Sequence, residues 1–243
     1  MRLHGNKVLI TGATAGIGES LLKEFLKKDN LVIAVGRNAQ KLGSLQQMDQ
    51  RVIPFACDLG EPSEQERLAL FVEQNHQDLN ILINNAGIQH NYRFTGERHL
   101  VSKIEQEIAV NLLAPIRLIG LLLPLLETNQ NSAIVNITSG LGLVPKADAP
   151  VYCGTKAGLH IFSKSLRQQM NNTKVFEVLP PLVDTAMTAG RGKGKITADQ
   201  LTEEFFRAFA RDKYEIAIGK VKLLKLINRF SPALADRIIS RGS

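Results

Sequence analysis

The sequence predicts an α/β fold: a single doubly wound parallel sheet of about seven strands with helices on both faces. Three observations lead there. Short β-type runs alternate with longer helical patterns along all 243 residues. Several of those runs are continuously apolar instead of alternating, as expected for strands buried on both faces of a parallel sheet. No linker-like stretch divides the chain, so residues 1–243 read as one domain long enough to bury a sizeable core.

The first run, residues 7–11, leads into Thr11-Gly12-Ala13-Thr14-Ala15-Gly16-Ile17-Gly18, and a helical pattern starts at Glu19. Glycines there let the backbone turn sharply and approach a pyrophosphate, which the free N–H groups of a helix N-terminus hold. Strand, loop and helix in this order make Gly12, Thr14, Gly16, Ile17 and Gly18 candidate dinucleotide contacts. After the second run, residues 31–35, stand Gly36 and Arg37, where an acid would bind the ribose hydroxyls of NAD. An acid would repel a 2′-phosphate, whereas Arg offers it planar paired donors, so NADP is expected over NAD.

The third run, residues 52–56, precedes a helix opened by Glu61-Pro62-Ser63-Glu64, with Pro and acids in its first turn. A fourth run covers 81–84, and Ile104, Ile108, Leu112, Ile119, Leu122 and Leu126 then form one helical stripe that Pro115 and Pro124 are expected to bend. Runs 133–138, 175–179 and 215–218 complete the strands. Residues 112–126 form the most apolar stretch, but it carries Arg117 and two prolines and is shorter than the roughly 20 residues of a membrane span. With only Val8-Leu9-Ile10 as an N-terminal apolar run, the chain reads as cytoplasmic. A content of 44% hydrophobic and 22% charged residues excludes a disordered chain.

Catalytic chemistry is suggested by Tyr152-Cys153-Gly154-Thr155-Lys156, with Ser139 upstream at the end of an apolar run. On a helix, a spacing of four puts phenol and ammonium on one face, where the cation favours phenolate and pulls a pKa of about 10 toward working pH. That makes Tyr152 a proton donor for carbonyl chemistry. Cys57 and Cys153 read as free thiols, and no His pair has metal-ligand spacing, so no metal site is expected. His90 follows the fourth strand and is a candidate substrate contact; His4, His76, His99 and His160 read as surface or helix residues.

Together these motifs resemble the classical short-chain dehydrogenase/reductase family over the first 190 residues or so: the glycine motif Gly12, Gly16 and Gly18, the strand-four motif Asn84-Asn85-Ala86-Gly87, and Tyr152 and Lys156 with Ser139 and Asn111. The resemblance implies a Rossmann-type NADP-binding domain, a small carbonyl or alcohol substrate, and a homodimer or homotetramer built through the helices that carry Asn111 and Tyr152. It also implies that Asp58 and Leu59 line the adenine pocket, that Asn85, Ala86 and Gly87 pass the adenosine ribose, and that Val183 and Thr185 hold the carboxamide and a nearby phosphate. In the same reading Ser139 polarises the carbonyl, Lys156 holds the nicotinamide ribose and tunes Tyr152, and Asn111 keeps a water that links Lys156 to solvent. One departure is Pro180-Pro181 where the family has Pro-Gly; this and Leu143-Val144-Pro145 are similar to a bacterial subgroup of oxidoreductases named after the D-alanyl lipoteichoic acid operon.

The remainder is less family-like. Ala189-Gly190-Arg191-Gly192-Lys193-Gly194-Lys195 cannot pack a core; residues 185–199, or more generously 185–210, read as a substrate loop, either a lid or a solvated surface. From Arg191 onward twelve Lys or Arg face six Asp or Glu, so most of the net charge of +7 lies there. Residues 220–241 look amphipathic, with Lys222, Lys225 and Arg229 on one face. Either the helix packs on the core, the pocket or a partner subunit and shows its cations to water, or the segment meets a membrane or an acidic partner such as an acyl carrier protein. Nucleic acid is not expected, because aromatic platforms are missing from the basic tail. The leading functional expectation is an NADP-dependent carbonyl reductase or alcohol dehydrogenase; a 3-oxoacyl carrier-protein reductase and a non-catalytic NADPH sensor are the alternatives.

Overall fold

The computed structural model describes residues 1–241; Gly242 and Ser243 of the expected domain lie outside the described residues. The strands are β1 (Lys7–Thr11), β2 (Leu31–Gly36), β3 (Val52–Ala56), β4 (Ile81–Asn84), β5 (Ala133–Ile137), β6 (Lys174–Leu179) and β7 (Glu215–Ala217). Each falls within one residue of its sequence-predicted ends, and every neighbouring pair is parallel in the order β3-β2-β1-β4-β5-β6-β7. The strand order turns back between β1 and β4, and in sheets of this kind the crevice beyond the carboxyl ends of the strands at such a point is where ligands bind.

The helices are α1 (Gly16–Lys27), α2 (Ala39–Met48), α3 (Pro62–Asn75), α4 (Leu100–Ile108), α5 (Ala114–Thr128), α6 (Pro150–Gln169), α7 (Ala198–Phe209), α8 (Val221–Phe230) and α9 (Pro232–Arg241). Val8 and Ile10 join Phe25 of α1, Leu42 of α2 and Phe205 of α7 in one core, while Leu9 between them joins Leu68 of α3, Leu122 of α5 and Leu166 of α6 in a second. Successive side chains of a strand point to opposite faces, so a helical layer on each side requires the continuous apolar runs of the sequence.

Between α4 and α5 the chain makes a π-helical turn, Ala109–Leu113, in which the Ala114 N–H donates to the Ala109 carbonyl. Pro115 follows with no N–H to give and a ring that crowds the carbonyl four residues back, which accounts for the widened turn just before it. The whole helix runs through residues 100–128, and its 29 residues are long and apolar enough to cross a membrane by length and composition. The expectation that this stretch is too short for a span is therefore corrected. Its inner face, Leu118, Ile119, Leu122 and Leu126, is buried in the second core. Arg117 donates to Gln65 (3.1 Å) and Glu66 (3.0 Å) of α3, as suits a core helix of the α/β layer.

The segment 185–210 divides in two. Residues 198–209 form α7, whose Leu201, Phe205, Phe206 and Phe209 are buried, so that part is core helix and not substrate loop. A reciprocal cap, with the Thr197 hydroxyl accepting from the Gln200 N–H (3.1 Å) and the Gln200 amide oxygen accepting from the Thr197 N–H (2.9 Å), fixes its start. Residues 185–197 are a strap fastened at both ends, by backbone bonds from Asp184 N–H to the Ile196 carbonyl (2.9 Å) and from Ile196 N–H to the Leu182 carbonyl (3.2 Å). Lys195 returns to the Thr188 carbonyl (2.7 Å).

The basic tail packs on the pocket along one side, where Val221 is buried and Leu224 and Ile227 line the cleft, and leaves its other apolar residues exposed. Lys222 pairs with Glu204 of α7 (2.5 Å) and Lys225 with Glu215 of β7, while Leu223, Leu226 and Phe230 are 60%, 54% and 77% exposed. Two carboxylates on the body of the fold pair with the lysines, while Leu223, Leu226 and Phe230 stay outward. Ser231-Pro232 breaks the helix, as the sequence predicts.

Candidate active site

A cleft of about 1410 Å³ opens at the carboxyl ends of the strands. A smaller depression of about 430 Å³, lined by Arg2, Asn6, Asp29 and Asp78, lies at the opposite, amino-terminal ends and gathers none of the motifs.

At the switch point, Gly12 has φ of +67°, and a Cβ there would meet the Ala86 Cα at 3.0 Å. A Cβ on Gly18 would sit 2.2 Å from the Gly12 carbonyl oxygen, so this loop closes only with glycine. The Thr11 hydroxyl donates to the Ile83 carbonyl (3.3 Å) and accepts from the Asn85 and Ala86 N–H groups (2.9 and 3.0 Å), while the Asn85 amide donates to the Thr11 carbonyl (2.9 Å). The ends of β1 and β4 are thereby stapled together. Thr11 was legible only as part of the glycine motif, and sequence reasoning gave it no role.

Gly12, Thr14, Gly16, Ile17, Arg37, Asp58, Leu59, Asn85, Ala86 and Gly87 all line the cleft. Gly18 sits one turn inside α1, buried beneath the loop. Val183 and Thr185 line it too, although the Val183 side chain packs in the first core. Pro181 forms part of the wall, and Pro180 accepts a hydrogen bond from the Gly140 N–H (3.0 Å), which ties the doubled proline to the Ser139 loop. The donor-rich N-terminus of α1, a turn with no room for side chains and Arg37 at the end of β2 together fit a dinucleotide.

At the floor of the cleft the structure brings Ser139, Tyr152 and Lys156 together. Tyr152 and Lys156 are both buried on α6, and the Lys156 ammonium lies 5.8 Å from the centroid of the Tyr152 ring. Lys156 donates to the Ile137 carbonyl (2.8 Å), and the Ser139 hydroxyl acts on the Tyr152 phenol, favouring its ionised form. Burial pushes Tyr152 up to about 12, against the pull of Ser139 and of the Arg191 charge, and lowers Lys156 to about 8. The expected downward shift of Tyr152 is thus reversed, because desolvation disfavours the charged form of each group. At neutral pH Tyr152 is a phenol with a proton to give.

Asn111 lies on the π-helical turn and clasps Ile88, accepting from its N–H (2.8 Å) and donating to its carbonyl (2.8 Å). A Cβ on Gly87 would come 3.3 Å from Asn111 Oδ1 and 3.6 Å from Lys156 Nζ, which places the Asn111 amide beside the lysine. Next to it, buried Glu107 accepts from the His90 N–H (2.8 Å) and the Tyr92 hydroxyl (3.1 Å), fixing the chain after β4. His90 is not among the cleft-lining residues; Gln89 and Asn91 are. His160 is not a surface residue: it is buried on α6 and bonds the fully buried Glu177 at 2.8 Å. Met187 and Arg191 of the expected substrate loop and Leu224 and Ile227 of the tail line the cleft, and Leu141, which sequence reasoning did not single out, joins them. Among the described residues no three His, Cys, Asp or Glu side chains gather as a metal site.

Fold and site together define an α/β oxidoreductase built to hold a dinucleotide. The chain belongs to the short-chain dehydrogenase family, whose model matches residues 6–196. Oxidoreductase DltE of Bacillus subtilis, itself described as uncharacterized, is 36% identical over 233 residues, covering 93% of this chain and 92% of that protein. A short chain dehydrogenase from Burkholderia cenocepacia solved in complex with NADP superposes with a TM-score of 0.88 at 22% identity, over 98% of this chain and 99% of that one. Another from Burkholderia phymatum, in complex with NAD, gives 0.85 at 16%, over 100% and 98%. Both show the fold.

Proposed function

We propose that the protein transfers hydride between NADPH and a carbonyl or secondary alcohol, with Tyr152 as general acid and base. The convergence of half-buried Ser139 with buried Tyr152 and Lys156 at the floor of the dinucleotide cleft carries the proposal. The cofactor, when bound, supplies a hydride to the carbonyl carbon, and the carbonyl oxygen must then take up a proton. Ser139 donates a hydrogen bond to that oxygen, Tyr152 delivers the proton, and Lys156 stabilises the phenolate left behind. Asn111 sets the Ile88 backbone and the surroundings of Lys156. Gly12, Gly16, Ile17 and Gly18 would hold the pyrophosphate at the α1 N-terminus, and exposed Arg37 the 2′-phosphate, which is the reason for preferring NADP.

A screen of NADPH oxidation over aldehydes, ketones and acyl thioesters, beside NADH, tests this reading. We expect Tyr152→Phe to lose about a hundredfold to ten-thousandfold in turnover with NADPH affinity retained; undiminished turnover sinks the assignment. We further propose a soluble, cytoplasmic homo-oligomer formed through α5 and α6, supported by family membership and by exposed Leu113 beside the α5 N-terminus and Ile161 of α6.

A further inference from the structure

Arg191 stands apart from the other cations of the strap. Its Nη1 is buried with no hydrogen-bond partner, and its Nη2 reaches only the Gln89 carbonyl at 3.4 Å. Among the described residues no carboxylate lies within ion-pair distance of it, whereas Lys195 pairs with Asp184 and Lys146 with Asp148. Arg191 lines the same cleft as Ser139 and Tyr152, and its charge acts on the Tyr152 phenol. The position is built: the Arg191 N–H donates to the Thr188 carbonyl (3.0 Å), and Gly190 and Gly192 on either side have φ of +72° and +56°. Arg191 is half-buried, and a partly desolvated guanidinium without a counter-charge gains from an anion that completes it.

Resting on the reductase reading above, we propose that Arg191 binds an anionic group of the substrate, so that the enzyme acts on oxo or hydroxy acids with an apolar chain. The chain has its own surroundings in Leu141, Leu182, Met187, Leu224 and Ile227, which line the cleft beside Tyr152. Two parallel N–H donors suit a carboxylate, and the long bond to Gln89 engages only the Nη2 group. Arg191 reaches the Gln89 carbonyl, beyond Gly87, and its charge acts on the Tyr152 phenol, which assigns its anion to the substrate; the NADPH affinity of Arg191→Met separates this from a cofactor phosphate.

Two measurements on the full chain test this. In the first, 3-hydroxyoctanoate and its methyl ester are oxidised with NADP⁺ by wild type and by Arg191→Met. We expect wild type to favour the acid in kcat/KM, and the substitution to cut the acid-over-ester ratio by about tenfold or more, chiefly through KM, with Arg191→Lys intermediate. Equal losses on acid and ester mean a structural role and overturn the proposal, as does a wild type that prefers the ester. The second measurement needs no turnover: octanoate and octanol are titrated into the NADPH complex and followed by cofactor fluorescence. Octanoate should bind about tenfold tighter, an advantage lost in Arg191→Met, with NADPH affinity unchanged. Equal binding of the two probes overturns the proposal, and so does an Arg191→Met variant that binds NADPH about tenfold more weakly, because the anion would then be the cofactor's. Neutral ketones reduced while both acid measurements fail would leave the reductase reading standing and remove this one; a chain that neither binds NADPH nor turns over any carbonyl would remove both.

Discussion

The cofactor end of the cleft and the cap over its substrate end are held together in opposite ways. Around Gly12, Thr11, Asn85 and Asn111 almost every polar atom is spent on backbone, and contacts are so close that single Cβ atoms would collide. The cap of α8 and α9 rests on few anchors: Val221 against Gly140, the Asn228 amide on the Leu143 carbonyl (3.2 Å), and two lysine pairs. Leu224 and Ile227 line the cleft, while Leu223, Leu226, Phe230 and Leu234 face outward. Residues 6–196, which the family shares, hold the first arrangement; the second lies beyond them. The chemistry common to a family demands fixed backbone, whereas the wall that meets the substrate can vary as long as it stays attached.

That contrast can be broken or sharpened by experiment. The largest effect is expected at the cofactor end, where Gly18→Ala should abolish NADPH binding or folding, since its Cβ would lie 2.2 Å from a backbone oxygen; retained fluorescence enhancement of bound NADPH would contradict the loop geometry. Next is Phe205→Ala in α7, which should cost about 3–5 kcal/mol in denaturant unfolding. That loss would show that the region beyond residue 196 includes true core, Phe205 being fully buried between Phe206 and Phe209. Arg37→Ala should weaken NADPH by about tenfold while leaving NADH nearly unaffected, because it removes a charge-assisted contact to the 2′-phosphate. Titration offers a further comparison. Tyr152 is raised to about 12, so the phenol persists through neutral pH: reduction should stay flat from about pH 6 to 8, whereas oxidation, which needs phenolate, should climb with pH over the same range. Rate profiles in both directions measure this, and a falling oxidative limb would refute the raised phenol. The smallest effect belongs to the cap's outer face, where Leu226→Ser should change stability by under about 0.5 kcal/mol.

Much of the fold was readable because its causes are local. Continuous apolar runs such as Val8-Leu9-Ile10 report burial on both faces, and Gly12, Gly16 and Gly18 report a turn that excludes side chains. Tyr152 and Lys156 share a helix face by spacing alone. Even α7 announced itself in Thr197-Ala198-Asp199-Gln200, a capping box hidden by the glycine-rich stretch before it. Other features depend on partners distant in sequence. Buried His160 finds its partner in Glu177 of β6, and the lysines of α8 find theirs in Glu204 and Glu215 while Leu223 and Leu226 stay exposed.

By itself the sequence determined the parallel sheet, its strand boundaries, the glycine turn and the identity of the groups at the floor of the cleft, because periodicity, close packing and short spacings act within a few residues. Only the tertiary structure decided the protonation of Tyr152 and Lys156, the exposure of α8 and the isolation of Arg191 beside the active site. Burial and the presence or absence of a counter-charge are set by whatever the rest of the chain brings alongside, and no window of sequence contains that.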